Sequence, residues 1–311
     1  MADQRWGITL PITGLRLPEH EDVVRRAEAA GYSDIWTGET AGPDGFTPLT
    51  LASTWTERAR LGTGIVGVFQ RGPALLAMES AAVADASDGR FVLRIGASSD
   101  VIVERWNGIP CERPLTKVAE TIDFLRAVFA GERGEGGFKL ESAPSQPIPI
   151  MVAALRGKML ALAAEKADGA VTNFLPLSAM PQVSKPLSGA SEGFELVCRF
   201  FCFPGSREEF EPAARRMFAA YATVPVYEKF FRWLGHGDAI DEMVVAWAER
   251  DRERATAAAP WELIEETFIL GEPGEMKAQL QRFVDAGVTL PILTAVTETD
   301  QVADLFEALA P

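Results

Sequence analysis

Short apolar runs of β type alternate with longer helical runs along the whole chain, and the 311 residues are 47% apolar. That rhythm means parallel strands joined by helical crossovers, and the length can bury one large core. Together they predict an α/β fold, a (β/α)8 TIM-type barrel that takes residues 1–311 as a single domain. A helix-rich stretch at about 206–266, longer than a barrel helix needs, reads as an insertion before the last strand. Chemistry in such a barrel belongs at the C-terminal ends of the strands.

Residues 6–10 form the first strand, stopped by Pro11, and 19–30 an amphipathic helix closed by Gly31. Strand 33–37 follows, then a polar loop (38–46) and a helix over 47–58. The third strand spans 61–68 with 73–87 as its helix, and the fourth spans 91–95. A loop over 97–113 leads into the helix 114–129. The run GERGEGG (131–137) is a glycine-rich excursion that lacks the GK[ST] of a phosphate-binding P-loop, and 138–140 reads as a small hairpin. Ile148 to Ala154 is the fifth strand. After the break at Arg156 and Gly157, Met159, Leu160, Ala163 and Ala164 recur at helical spacing, and Gly169 closes that helix. Strands six, seven and eight fall at 169–174, 194–203 and 289–294, with helices at 271–286 and 300–309.

The formal charge is −14, and acids and bases are interleaved. No basic stripe exists to neutralise a nucleic-acid backbone, so no nucleic-acid partner is expected. No apolar run is long enough to span a membrane and no leader pattern opens the chain, so a cytoplasmic protein without a membrane partner is expected. Cys111, Cys198 and Cys202 are an odd number, and Cys198 and Cys202 lie four apart in a β-type run, which suits reduced packing thiols better than zinc. His20 and His236 have no nucleophile motif beside them and read as surface residues, so neither a catalytic triad nor a metal site is expected.

The segments just after the strands offer Glu39 and Thr40, then Gly64 to Phe69 with Arg71, then Ala97 to Asp100, Arg156 to Met159 and Thr172 to Phe174. This set is poor in acid–base residues and rich in glycine and apolar side chains, which suits a flat ring and a phosphate better than hydrolysis. Gly62, Gly64 and Gly67 weaken a strand unless backbone must bulge or approach something; packing of the barrel core is the alternative. A helix starting at Gly157 points unpaired N–H groups at the strand tips, where phosphates bind; a plain tight turn with Lys158 on the surface is the alternative. Arg94 lies inside the apolar strand FVLRIG. Facing inward it needs a carboxylate, with Glu39 nearest in the topology, or a ligand anion; facing outward it snorkels between helices.

Three separated segments carry a resemblance: RLGTGIVGVFQRGPALLAMESAAVADASDGRFVLRIGASS, VIVERWNGIPCERPLTKVAETIDFLRAVFAGE and IPIMVAALRGKMLALAAEKADGAVTNFLP. In that order they resemble the bacterial luciferase-like monooxygenase superfamily, within it the actinobacterial coenzyme F420-dependent oxidoreductase branch. The likeness covers most of residues 5–180 and the segment FILGEPGEMKAQLQRFVDAGVTLPIL, and little of 185–260. It implies a deazaflavin, coenzyme F420, lying across the strand ends, and a non-prolyl cis peptide at Gly64–Ile65 backing its ring. It implies a phosphate turn in AALRGKM, where Gly157, Lys158 and Met159 offer backbone N–H groups. Arg156 and Arg94 stand where the family carries glycine. Thr40, Ala97, Ser98 and Asn173 join Gly64, Ile65, Arg94 and Arg156 as cofactor-contacting positions, and Glu39 in WTGET is the implied catalytic residue. The implied reaction is hydride transfer between C5 of F420 and a small organic substrate. An FMN-dependent monooxygenase and a deazaflavin-binding protein without turnover are the alternatives. A homodimer through the helices at 47–58 and 73–87 is also implied.

Overall fold

A computed structural model describes residues 4–311. In chain order the first half runs β1 (Gly7–Leu10), α1 (His20–Ala29), β2 (Asp34–Thr37), α2 (Thr47–Trp55), β3 (Arg60–Thr63), β4 (Val66–Gly67), α3 (Pro73–Ala86), β5 (Phe91–Gly96), α4 (Pro114–Phe129), β6 (Ile150–Ala153), α5 (Gly157–Lys166), β7 (Gly169–Asn173) and α6 (Met180–Ser184). The second half holds β8 (Glu195–Pro204), α7 (Arg207–Ala222), α8 (Pro225–Trp233), α9 (Gly237–Ala248), α10 (Arg252–Ala257), α11 (Trp261–Thr267), β9 (Ile269–Gly271), α12 (Pro273–Asp285), β10 (Leu290–Ala295) and α13 (Val302–Ala308). The strands pair in parallel in the order β10, β1, β2, β3, β5, β6, β7, β8, and β10 also pairs with β8, which closes the barrel. This is the (β/α)8 TIM-type fold.

Proline and short polar residues set many helix starts. Pro73, Pro114, Pro225 and Pro273 each open a helix, where the preset φ fits and the missing N–H is not needed. Ser206 and Glu209 form a capping box at α7, with the Ser206 N–H donating to Glu209 Oε2 at 2.7 Å.

Alternation along each strand splits the apolar residues into two cores. Ile8, Leu10, Ile35, Leu61, Leu93, Ile150 and Val152 point outward and pack under the helices. Trp36, Val92, Met151, Val171, Val197, Leu290 and Ile292 fill the barrel lumen. The register puts Trp36, Arg94, Val171 and Ile292, from alternate strands, in one layer. Trp36 is wide enough that a Cβ at Gly62 would run into its indole, so Gly62 serves packing of the lumen. Below that layer a charged plug closes the N-terminal end. Asp34, fully buried, accepts from Arg60 Nε at 2.7 Å and from Arg5 Nη2 at 3.0 Å. The two outer nitrogens of Arg60 donate to Glu195 at 2.6 and 2.7 Å.

Several local expectations change. The third strand breaks into β3 and β4. Residues 138–140 form no hairpin: the excursion is a single 3-10 turn (Glu135–Gly137) closed by the Gly134 N–H donating to the Phe138 carbonyl. The loop after β5 contains one π-helical stretch, Val101–Trp106. The segment at 206–266 comprises α7 to α11, and the short β9 behind it pairs with the end of β8. A third apolar cluster, with Phe174, Phe201, Phe218, Phe231 and Phe268, joins these helices to the barrel. His20 is buried, not on the surface. Its Nε2 accepts from the Ile12 N–H at 2.9 Å while Nδ1 faces the Arg16 and Leu17 carbonyls, an arrangement that needs the neutral Nδ1–H tautomer. The three cysteines are free thiols, and burial pushes Cys198 and Cys202 up, away from the reactive thiolate. Among the described residues no helix is long and apolar enough to cross a membrane.

Candidate functional site

The mouth of the barrel begins with the broken third strand. β3 pairs with β5 as far as Gly62 and Val92, and pairing resumes at Val66 and Ile95. Between them the Thr63 hydroxyl replaces the missing ladder: Oγ1 accepts from the Arg94 N–H and donates to the Arg94 carbonyl, both at 2.8 Å. The Gly64–Ile65 peptide is cis, at the position the resemblance implies. A Cβ at Gly96 would lie 2.7 Å from Ile65 Cδ1 and 2.8 Å from Ala153 Cβ, so only glycine lets Ile65 lie flat there. Gly64, Ile65, Gly96, Ala97 and Ala153 thus make a low shelf of backbone and small groups on the β3 to β6 side. Ser98 follows in the left-handed region (φ 64), half-buried at the edge of the shelf.

Glu39 stands just past β2, and its partner is not Arg94. Arg71 donates to both Glu39 oxygens at 2.6 Å, and Oε1 also accepts from the Gly45 N–H at 3.0 Å. The fork ties the β2 loop to the segment before α3, and Arg71 reaches on to Glu79 at 3.0 Å. Burial of Glu79 raises its carboxyl pKa despite the opposing pull of Arg71. These three donors fix the orientation of the Glu39 carboxylate and leave Oε2 with acceptor capacity to spare. Thr40 is exposed in the same loop.

Arg94 faces inward, which settles its orientation. It is 1% exposed, its guanidinium lies over the Trp36 ring, and its Nε and Nη2 are buried without a hydrogen-bond partner. Burial, reinforced by the charge of Arg60, pushes its pKa well down against the attraction of Asp34 and Glu195. It sits below the shelf, between the mouth and the charged plug, because its guanidinium is flattened on the indole.

At α5 the Arg156 carbonyl accepts from the N–H groups of Met159 and Leu160, both at 3.0 Å. Met159 therefore spends the donor that the phosphate turn was expected to offer, and the first-turn donors of Gly157 and Lys158 remain. Arg156, extended at the cap position, and Gly157 are half-buried, and Lys158 is exposed.

The opposite side of the mouth was missed in the sequence, apart from Asn173. There Arg199 Nε donates to Thr294 Oγ1 at 2.9 Å, and Asn173 Nδ2 donates to the Tyr227 hydroxyl at 3.0 Å. Burial, aided by nearby Tyr221, pushes the Tyr227 phenol up to about 12, so it stays protonated. The signal for Arg199 was present: Glu195, Val197, Arg199 and Phe201 alternate along one strand, as Val92, Arg94 and Gly96 do. Tyr227 lies in the insertion, and nothing local ties it to Asn173.

Two surface clefts lie away from the mouth and share Leu177 and Arg282. One is lined by Glu262, Glu265, Glu266 and Gln279, the other by Met180, Ser184 and Asp285, and neither includes a strand-end residue of the barrel.

A closed parallel barrel with a bulged third strand and a low shelf at its mouth defines a TIM-type barrel. The chain belongs to the luciferase-like monooxygenase family, whose profile matches residues 5–290. A Mycobacterium tuberculosis protein provisionally named as a coenzyme F420-dependent oxidoreductase is 29% identical, the alignment covering 98% of each chain. A 5,10-methylenetetrahydromethanopterin reductase of Archaeoglobus fulgidus is 33% identical over 52% of this chain and 51% of its own. Among solved structures, the coenzyme F420-dependent tetrahydromethanopterin reductase of Methanopyrus kandleri superposes with TM-score 0.77 at 18% identity, covering 98% of both chains. An F420-dependent secondary alcohol dehydrogenase does so with TM-score 0.78 at 15% identity, covering 99% of both. These relatives support an oxidoreductase.

Proposed function

We propose that the chain is an F420-dependent oxidoreductase acting on a small organic molecule. The observation that carries the reading is the shelf: Ile65 lying against Gly96, beside the side-chain-free Gly64, gives one broad face for a tricyclic ring. The donors of Gly157 and Lys158 open next to it, within reach of a phosphate on the ring's side chain. F420, when bound, supplies a carbon, C5, that gives or takes hydride. The chain's own residues do the rest. Gly64, Ile65 and Gly96 back one face of the ring and leave the other open to substrate. Arg156, Gly157, Lys158 and the dipole of α5 hold the phosphate. Ala97, Ser98 and Asn173 border the ring, and Glu39, held by Arg71, fixes the loop carrying Thr40 over the opening. A homodimer belongs to the same reading, since Leu75 and Met78 stand exposed on α3.

Separate titrations of the protein with F420 and with FMN, followed by visible absorption and fluorescence, test the proposal. Saturable binding of F420 with weak or no binding of FMN is expected. Tight binding of FMN alone would replace the proposal with a flavin monooxygenase.

A further inference from the structure

The wall formed by β7, β8, β10 and β1 carries donors that the protein itself leaves unused. Arg199 is held in plane by two contacts: Nε donates to Thr294 Oγ1 at 2.9 Å, and the guanidinium lies 4.5 Å from the Phe201 ring centroid. Among the described residues no carboxylate pairs with it, in contrast to Arg5, Arg60 and Arg71. Among the described residues its outer fork, Nη1 and Nη2, has no acceptor, and the residue is half-buried, so the fork is reachable. A second observation comes from the next strand. Ile8 pairs with Leu293, which sets the following inward positions, Thr9 and Thr294, side by side. Thr9 is 7% exposed, and its hydroxyl is buried without a partner. A buried hydroxyl left unpaired costs free energy that an arriving polar group recovers.

Arg199, Thr294 and Thr9 thus form a row across three adjacent strands. Beside it Tyr227 accepts from Asn173 and keeps its own proton to donate. Phe174, 1% exposed, is enclosed in the third apolar cluster and stacks on the half-buried Tyr221 with centroids 4.4 Å apart, which holds this side of the wall in place. A planar guanidinium fork with a neighbouring hydroxyl matches the two oxygens of a carboxylate.

We propose that this row binds the carboxylate of the substrate, and that the substrate is an organic acid. The word substrate rests on the hydride-transfer reading above; the oxyanion row stands on geometry alone. Bound there, the acid is anchored on the β8 side of the mouth.

Benzoate, with benzamide as its uncharged counterpart, is the probe, titrated calorimetrically into the protein with and without F420. Benzoate binding at least about tenfold tighter than benzamide is expected. In Arg199→Gln that preference disappears, Arg199→Lys regains part of it, and Thr9→Val, which keeps the shape and removes the hydroxyl, weakens benzoate by a few fold. F420 affinity and the melting temperature of the ligand-free protein stay at wild-type values in Thr9→Val and in Arg199→Lys. Equal binding of benzoate and benzamide to wild type, or an unchanged preference in Arg199→Gln, would overturn the proposal. Loss of F420 affinity in both Arg199 variants would overturn it too, by assigning the fork to the cofactor. Failure of the wild type to bind F420 at all counts against the proposed function, while the titration without F420 still decides the role of Arg199.

Discussion

Arginines at the two ends of the barrel differ in pairing: those of the N-terminal plug meet acids, as Arg71 does at the mouth, and Arg199 does not. At the N-terminal end Arg5 and Arg60 face Asp34 and Glu195, with contacts of 2.6 to 3.6 Å between charged atoms. At the C-terminal end Arg199 faces a threonine and an aromatic ring and no acid. A guanidinium paired with carboxylates of its own chain contributes to folding and has little left for a ligand. A guanidinium held in place with its fork open has the reverse properties. Arg94 lies between, buried like the first group and unpaired like the second. The contrast teaches that pairing, more than burial or charge, separates the structural arginines of this barrel from those poised to bind.

The largest effect is expected at the plug. Asp34→Asn leaves Arg5, Arg60 and Arg94 facing a single carboxylate in a buried setting, and should lower unfolding free energy by about 3–5 kcal/mol, measured by denaturant titration. F420 affinity of the folded fraction should not change; a change there would mean the two ends of the barrel are coupled. The plug also sets a pH dependence. Burial alone would raise the Glu195 carboxyl, but the hydrogen bonds and charge of Arg60, with Arg5, hold it below the usual range. A folded-state pKa below the unfolded one contributes stability that is full above the unfolded value of about 4.5 and is lost as pH falls through the folded one. The melting temperature of the wild type should therefore fall more steeply on acidification than that of Glu195→Gln, and parallel curves would remove Glu195 from the account.

The next effect belongs to the mouth. Arg156→Glu or Gly157→Asp should weaken F420 binding at least about tenfold, or roughly 1.4 kcal/mol, with little change in apoprotein stability. Glu165→Gln, exposed near the other end of α5, is the control and should leave affinity alone. Identical calorimetric constants for wild type and both turn variants would move the phosphate away from α5.

The smallest effect tests the residue in between. Arg94→Met removes a buried charge that has no hydrogen-bond partner while keeping much of the side-chain volume, and should raise stability by about 1 kcal/mol. A loss of stability on thermal melting would show that stacking on Trp36 outweighs the cost of burial.

Much of the barrel was legible because its cause is local. Strand and helix periods repeat every few residues, and prolines mark many helix starts, so the sequence determined the alternation, and the resemblance carried by its third-strand motif pointed to Gly64 and Ile65. The sequence also showed that Arg94 sits in an apolar strand, where it must face one side or the other, whereas Arg199, in a strand of the same kind, was passed over. Only the tertiary structure decided what each meets. Glu39 was the nearest acid to Arg94 by topology, yet it is claimed by Arg71, and Arg94 lies on Trp36 instead. Met159 lost its donor to the Arg156 carbonyl, and His20 was drawn inward by the Ile12 N–H. Asn173 found Tyr227 in a helix that the barrel pattern does not contain. Periodicity belongs to neighbours along the chain, whereas the pairing of a buried charge depends on which strands lie side by side once the barrel closes. Arg60 and Glu195 meet at 2.6 Å although 135 residues separate them, and no local pattern carries that distance.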